Sequence, residues 1–271
     1  MKIVRRYFFT IYDLKPKQIW WRVFKFLFPS KIYFLPNQAQ NENFKFKTAF
    51  LKKKNSIIDV NKFCFLNVTK IIKSEIKLVD FKDDLLWIYN LNYFDFLNST
   101  NTKKKTKHIN LFIERWLNEA SSQDYEGWDS YPSSLRIVNC IKWLISNKYT
   151  NTALIESIGN QSEKLFNNIE WHLYGNHLIA NAKALIYSGI FFKSNYAQKW
   201  KKKGIDLLRN QLSEQILKDG GHFEKSPMYH AIILEDLLDI INITVNQKNK
   251  EMIGFINELE IYIKQMLNWF F

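Results

Sequence analysis

From residue 108 onward, apolar side chains recur with the period of a helix. Ile109, Phe112, Ile113, Trp116 and Leu117 fall at i, i+3, i+4, i+7 and i+8. Tyr131-Pro132-Ser133 reads as a stop followed by an N-cap, after which Ser134, Val138, Ile141 and Ile145 share a face. Leu154, Ile158, Leu165 and Ile169 are spaced for a further helix, with Gly159 its weak point. The run 176–192 is apolar nearly all round and should be buried, whereas 196–217 is long and amphipathic. His230–Val245 is again apolar on most sides. Met252, Ile256, Leu259, Ile263 and Met266 mark a last helix. The pattern predicts helices near 108–119, 134–146, 176–192, 196–217, 230–246 and 250–269.

Helices joined by short turns, with no strands between them, form antiparallel hairpins. Buried helices alternating with amphipathic ones suggest two concentric layers, with a plain bundle as the alternative. The expected class is all-α, an incomplete α/α-toroid of antiparallel helical hairpins. Residues 1–100 read as an N-terminal arm and 101–271 as the helical domain. Within the arm, 31–83 reads as extended segments and loops, where Phe44-Lys45-Phe46-Lys47 alternates and Phe63, Phe65 and Val68 are β-prone. Ile19–Phe28 reads as an aromatic helix packed on the body rather than one lying in a membrane interface.

Composition narrows the function classes. The chain has 271 residues and is 46% hydrophobic, enough for a sizeable core. Two cysteines, Cys64 and Cys140, exclude a disulfide scaffold and a cysteine zinc site. No apolar run is long enough for a transmembrane helix. Met1–Tyr12 lacks the apolar core and cleavage site of a signal peptide, and the compartment stays open. GxGxxG, GxxxxGK[ST] and HExxH are absent. Lys+Arg number 39 against 26 Asp+Glu, a net charge of +13. That excess favours a polyanionic partner, whether nucleic acid, an anionic membrane or an acidic polysaccharide, but a general bias towards Lys, Asn and Ile accounts for about half of it. The basic residues are dispersed, which argues against nucleic acid.

Candidate chemistry gathers in three segments, Gly127–Arg136, Glu170–Asn181 and Asp219–His230. The last two hold His172, His177, His222 and His230, four of the five histidines. Asn176 follows a glycine at a helix start and reads equally as an N-cap or as a ligand-binding amide. His177 and Asn181 form a polar stripe on a buried helix, and buried polar groups need partners or a ligand. Tyr229 can serve as general acid or base, or sit in the core with its hydroxyl satisfied. His172 and His177 are five apart and do not share a helix face, so no metal is expected.

Leu173-Tyr174-Gly175-Asn176-His177-Leu178-Ile179-Ala180-Asn181-Ala182 resembles the Asn-His segment of the heparinase II/III-like polysaccharide lyases. Asp219-Gly220-Gly221-His222-Phe223-Glu224-Lys225-Ser226-Pro227-Met228-Tyr229-His230 resembles the catalytic tyrosine segment of that family. Residues 15–22, 87–97 and 128–143 match in the same order. The resemblance implies β-elimination on uronic-acid polysaccharides without a cofactor. It implies that Asn176 bonds the uronate carboxylate, that His177 supports this or binds substrate, and that Tyr229 transfers the proton. Arg136, Glu224 and His230 are further candidates, with Trp128, Tyr131 and His222 as substrate-binding positions.

The resemblance also implies a β-sandwich domain after the toroid, supplied by a further stretch or a separate chain. The chain by itself is therefore expected to show little lyase activity. The competing expectation is a carbohydrate-binding or envelope-polysaccharide assembly module that keeps the groove and lacks the chemistry.

Overall fold

The computed structural model describes residues 14–28, 31, 34–36, 38–41, 44–100, 102–121, 125–148, 150–244, 247 and 249–270. The segment Met1–Tyr12 lies outside them, as does the end of the helix expected to reach 246.

The arm begins with α1 (Pro16–Leu27), then β1 (Ala39–Gln40). A three-stranded antiparallel sheet follows, made of β2 (Ile57–Asp59), β3 (Lys62–Phe65) and β4 (Val68–Ile71) in that order. Its second turn is Leu66-Asn67, both at positive φ (52° and 62°), the geometry a two-residue hairpin loop demands. One face of this sheet is apolar. Phe63 packs on Phe96 and Phe112, and Phe65 packs on Trp87. The arm is thereby tied to the helical body.

The body consists of α2 (Leu85–Tyr93), α3 (Thr102–Glu119), α4 (Ser130–Asn147), α5 (Thr152–Asn167), α6 (Asn176–Phe191), α7 (Asn195–Gln215), α8 (Pro227–Thr244) and α9 (Lys250–Trp269). Strand β5 (Phe192–Lys193) pairs with β1. Helices α2, α4, α6 and α8 pack side by side as an inner ring, and α5, α7 and α9 cover α4, α6 and α8 from outside. Every residue of α6 from Leu178 to Phe191 is buried. In α7 only one stripe is, including Trp200, Leu208 and Leu212. That difference is the two-layer logic of an α/α toroid. Fully burying each large apolar side chain contributes roughly 1.5–3 kcal/mol, so the doubly covered inner helices anchor the fold.

Helix α2 packs against α4 in the inner ring. Two expectations are corrected. Helix α4 starts at Ser130 and not after Pro132, because a proline in the first turn removes only an N–H that has no intrahelical acceptor. Helix α1 exists, but none of its residues is buried, and Trp20 and Phe26 are exposed. Its polar face meets the body instead. Gln18 and Arg22 reach the His172 carbonyl, each at 3.4 Å, and Lys17 lies 3.3 Å from the Trp171 ring centre.

Candidate active site

Hairpins that alternate outer and inner helices leave all four inner helices running the same way. Their N-terminal turns therefore gather at one end of the ring. A cavity of about 520 Å³ opens there. Its wall takes Leu86 and Tyr89 from α2, Tyr131 from α4, Asn176 and His177 from α6, and Tyr229 from α8. Helix N-termini carry unpaired N–H groups and partial positive charge, so this end of the ring favours an anion.

The start of α6 is set by its approach. Gly175 is the N-cap, at φ 61° and ψ −146°, a conformation left to glycine. A Cβ there would also lie 2.6 Å from the Glu224 carboxylate. The Gly175 carbonyl accepts from Gln215 Nε2 at 2.9 Å, and Gln215 Oε1 is met by His222 Nε2 at 3.0 Å. Among the described residues no side chain caps α6. Asn176 is thus the first helical residue rather than the cap, and its amide points at the Tyr131 hydroxyl, 3.5 Å away.

His177 sits on a built support. Its Nδ1 is 3.1 Å from Glu170 Oε2, and Glu170 is buried. A carboxylate accepts only, so Nδ1 carries the proton and donates. Asn181 Nδ2 donates to the same Glu170 oxygen at 3.3 Å and to Ser134 Oγ at 3.0 Å. Asn181 Oδ1 accepts the Glu170 backbone N–H at 3.0 Å. Among the described residues nothing bonds His177 Nε2, and the side chain keeps 31% exposure. The Tyr131 ring lies against the imidazole with centroids 4.4 Å apart. Burial first, then Asp236, pushes the Tyr131 hydroxyl up from its ordinary pKa, so it stays a neutral donor.

The structure therefore brings Asn176, His177, Tyr131 and Tyr229 to one cavity. The other sequence candidates lie outside the lining of that cavity. Arg136 is 0% exposed and lies inside the ring. It donates to Gln161 Oε1 at 2.8 Å and to the Gly127 carbonyl at 2.7 Å, beneath the Trp116 ring. Trp128 is buried, and its indole N–H donates to the Ala120 carbonyl at 2.8 Å. His222 is buried behind Gly175, where burial and then His230 lower its pKa to about 4. His230 is buried under Trp269 and Phe270, with Nε2 on the Met266 carbonyl at 3.0 Å. Glu224 is exposed beside Gly175 and does not line the cavity.

The sequence assigns no site role to several wall residues. His172 lines the cavity with Nδ1 unpartnered, and burial followed by Lys25 lowers its pKa to about 4. Tyr89 donates to Asp129 Oδ2 at 2.6 Å. Glu170 could have been found from its place seven positions before His177. Lys25 carries no local signal, since only the tertiary fold brings α1 to this rim.

A family model described as Heparinase II/III N-terminus matches residues 87–271. A heparin-sulfate lyase of Bacteroides stercoris is 36% identical over 85 residues, which cover 31% of this chain and 12% of that protein. A heparin-sulfate lyase of Pedobacter heparinus is 31% identical over 65 residues, covering 24% and 10%. Among solved structures, a heparan sulfate lyase mutant from Pedobacter heparinus superposes with a TM-score of 0.55 at 16% identity, over 78% of this chain and 36% of that one. A heparinase III with methylated lysines gives 0.56 at 19% identity, over 84% and 42%. The matched stretch is thus about a tenth of the curated relatives and about two fifths of the solved ones.

Proposed function

The chain belongs to the heparinase II/III family, and from that premise we propose that it serves β-elimination on a polysaccharide containing uronic acid. Asn176, His177 and Tyr229 are the residues we assign to the reaction. The observation that carries the reading is their meeting, from two helices 53 positions apart, in one cavity ringed by inner-helix N-termini.

The chemistry sets what these groups must do. The C5 proton of a uronate stands beside a carboxylate whose charge opposes carbanion formation. Donors placed on that carboxylate stabilise the enolate-like transition state. The Asn176 amide and the Tyr131 hydroxyl are neutral donors at the cavity wall. His177, held by Glu170 through Nδ1, presents Nε2 to the cavity as an acceptor for a substrate hydroxyl. Tyr229, acting as the phenolate, takes the C5 proton and becomes the phenol, the C5–H electrons form the C4–C5 double bond, and the C4–O bond breaks with its electron pair on the oxygen. The departing oxygen takes a proton from the phenol, which leaves Tyr229 as it began.

The test is release of unsaturated uronate, read as ultraviolet absorbance. It is run on heparan sulfate, the polymer in the relatives' names, and on other uronate polymers. The chain is assayed as it stands and within any longer polypeptide its gene encodes. Absorbance growth supports the reading, with the smaller rate expected from the chain alone because an open cleft stays wet. Polymer binding with no release in either form would favour the carbohydrate-binding alternative.

A further inference from the structure

Helix α1 wears its apolar side outward. At about 100° per residue, Phe26, Ile19, Val23, Leu27 and Trp20 fall in one arc about 120° wide. All of them are exposed, Phe26 by 86% and Trp20 by 55%. A stripe of that width on a globular protein ordinarily faces a core. Here the core lies on the other side. Gln18 and Arg22 meet the His172 carbonyl there, and Lys15 pairs with Glu214. The half-buried Phe24 stacks on Trp20, with ring centroids 5.1 Å apart, and braces one edge of the stripe.

Charge indicates what such a face meets. Residues 14–31 hold Lys15, Lys17, Arg22, Lys25 and Lys31 and no acidic side chain. Lys17 borders one edge of the stripe and Arg22 the other, and both keep exposure although they touch the body. Their long stems run along the apolar residues while the charge stays in water. A protein partner would cover the stripe with apolar side chains and has no general need of a cationic border on both sides. A bilayer containing anionic lipid uses both features, apolar side chains at the acyl boundary and cations at the headgroups. Indole suits that boundary, since its ring is apolar and its N–H stays hydrated. Helix α1 has 12 residues and is about 18 Å long, against about 30 Å of hydrocarbon, so it would lie in the plane of a membrane without crossing it.

We propose that α1 is an interfacial anchor that docks the protein on an anionic lipid surface. Trp20, Val23, Phe26 and Leu27 enter the acyl boundary, and the flanking basic residues meet lipid phosphates. The proposal is independent of the uronate reading. Its consequence for the first cavity is one of position. Helix α1 holds the His172 carbonyl and Lys25 lines the cavity, so docking sets the Asn176 site beside the lipid surface.

Flotation of the full chain with phosphatidylcholine vesicles, with and without about one third phosphatidylserine, tests it. The chain should float with the anionic vesicles, and salt raised from about 0.1 M to about 0.5 M should weaken binding. Val23→Glu together with Phe26→Glu should lower the affinity roughly tenfold or more. Melting should stay unchanged, because neither side chain is buried. A second readout stands whether or not the double variant folds. Lipids brominated on their acyl chains should quench the tryptophan fluorescence of the bound parent, and Trp20→Phe should lose most of that quenching. Absence of flotation, or fluorescence that brominated lipid leaves unquenched, overturns the anchor. So does binding that survives the double substitution, which would mean that the net charge of +13 acts without the stripe. A dimer in sedimentation velocity that the double substitution dissociates would assign the stripe to a second copy of the chain and overturn the proposal as well.

Discussion

Arg136 and His177 are both polar side chains on inner-ring helices, and the fold treats them in opposite ways. Arg136 spends its donors inward, on Gln161, on the Gly127 and Asn92 carbonyls and on Ser133. Burial lowers its pKa to about 10, yet it remains charged at neutral pH with its guanidinium closed off from solvent. His177 spends one nitrogen on Glu170 and keeps the other at a cavity. A polar group that spends its donors inside the ring holds the ring together. A polar group fixed on one side and free on the other can act on a ligand.

The largest effect that would sharpen this contrast is Arg136→Ala. It removes the donors to Gln161 Oε1 and to two backbone carbonyls and opens a cavity beneath Trp116. We expect a loss of roughly 3–5 kcal/mol in urea unfolding. Substrate affinity of the remaining folded protein should be unchanged. A stable Arg136→Ala protein that had lost its ligand would place Arg136 at the site after all.

Gly175→Ala comes next. It forces a side chain into a glycine-only conformation and against Glu224, at a cost of roughly 1–3 kcal/mol. Because Gly175 sets the start of α6, ligand affinity should fall together with stability. Unchanged affinity would detach Asn176 and His177 from their entry loop.

The smallest effect is the pH dependence from His222. Its folded pKa is lowered to about 4, below the ordinary value near 6.5, so between these values the unfolded chain binds more protons. His222 should contribute its full stability above about pH 6.5, and that contribution should be lost as pH falls toward 4. His222→Gln should flatten this window in a series of thermal melts. A slope that survives would point to His172, whose pKa is lowered to the same region.

How much of this was legible in the sequence follows from the kind of force involved. Helices α6 to α9 were found within a few residues, because burial imposes a 3.6-residue period that the chain records directly. Helix α3 begins at Thr102, six residues before the predicted start, since its first turn is lysine-rich and carries no apolar signal. The exposed aromatic face of α1 was misread, because amphipathic spacing does not say which side meets the body. At the site, Asn176, His177 and Tyr229 stood out as residue types at helix starts. Arg136, His222 and His230 stood out for the same reason, yet the structure buries them. What separates the two groups is whether partners 25 to 44 positions away in Arg136, or 36 in His230, consume their hydrogen bonds. Local sequence does not encode that distinction.

The central claim is that the Tyr229 hydroxyl moves the proton for a uronate held at Asn176. In a preparation that releases unsaturated uronate, Tyr229→Phe is measured against the parent protein by the initial rate of ultraviolet absorbance, with thermal melting recorded alongside. The account predicts a fall in turnover of roughly 10²-fold or more with melting unchanged, since only a hydroxyl is lost. Near-parental turnover by a correctly folded Tyr229→Phe protein would contradict it.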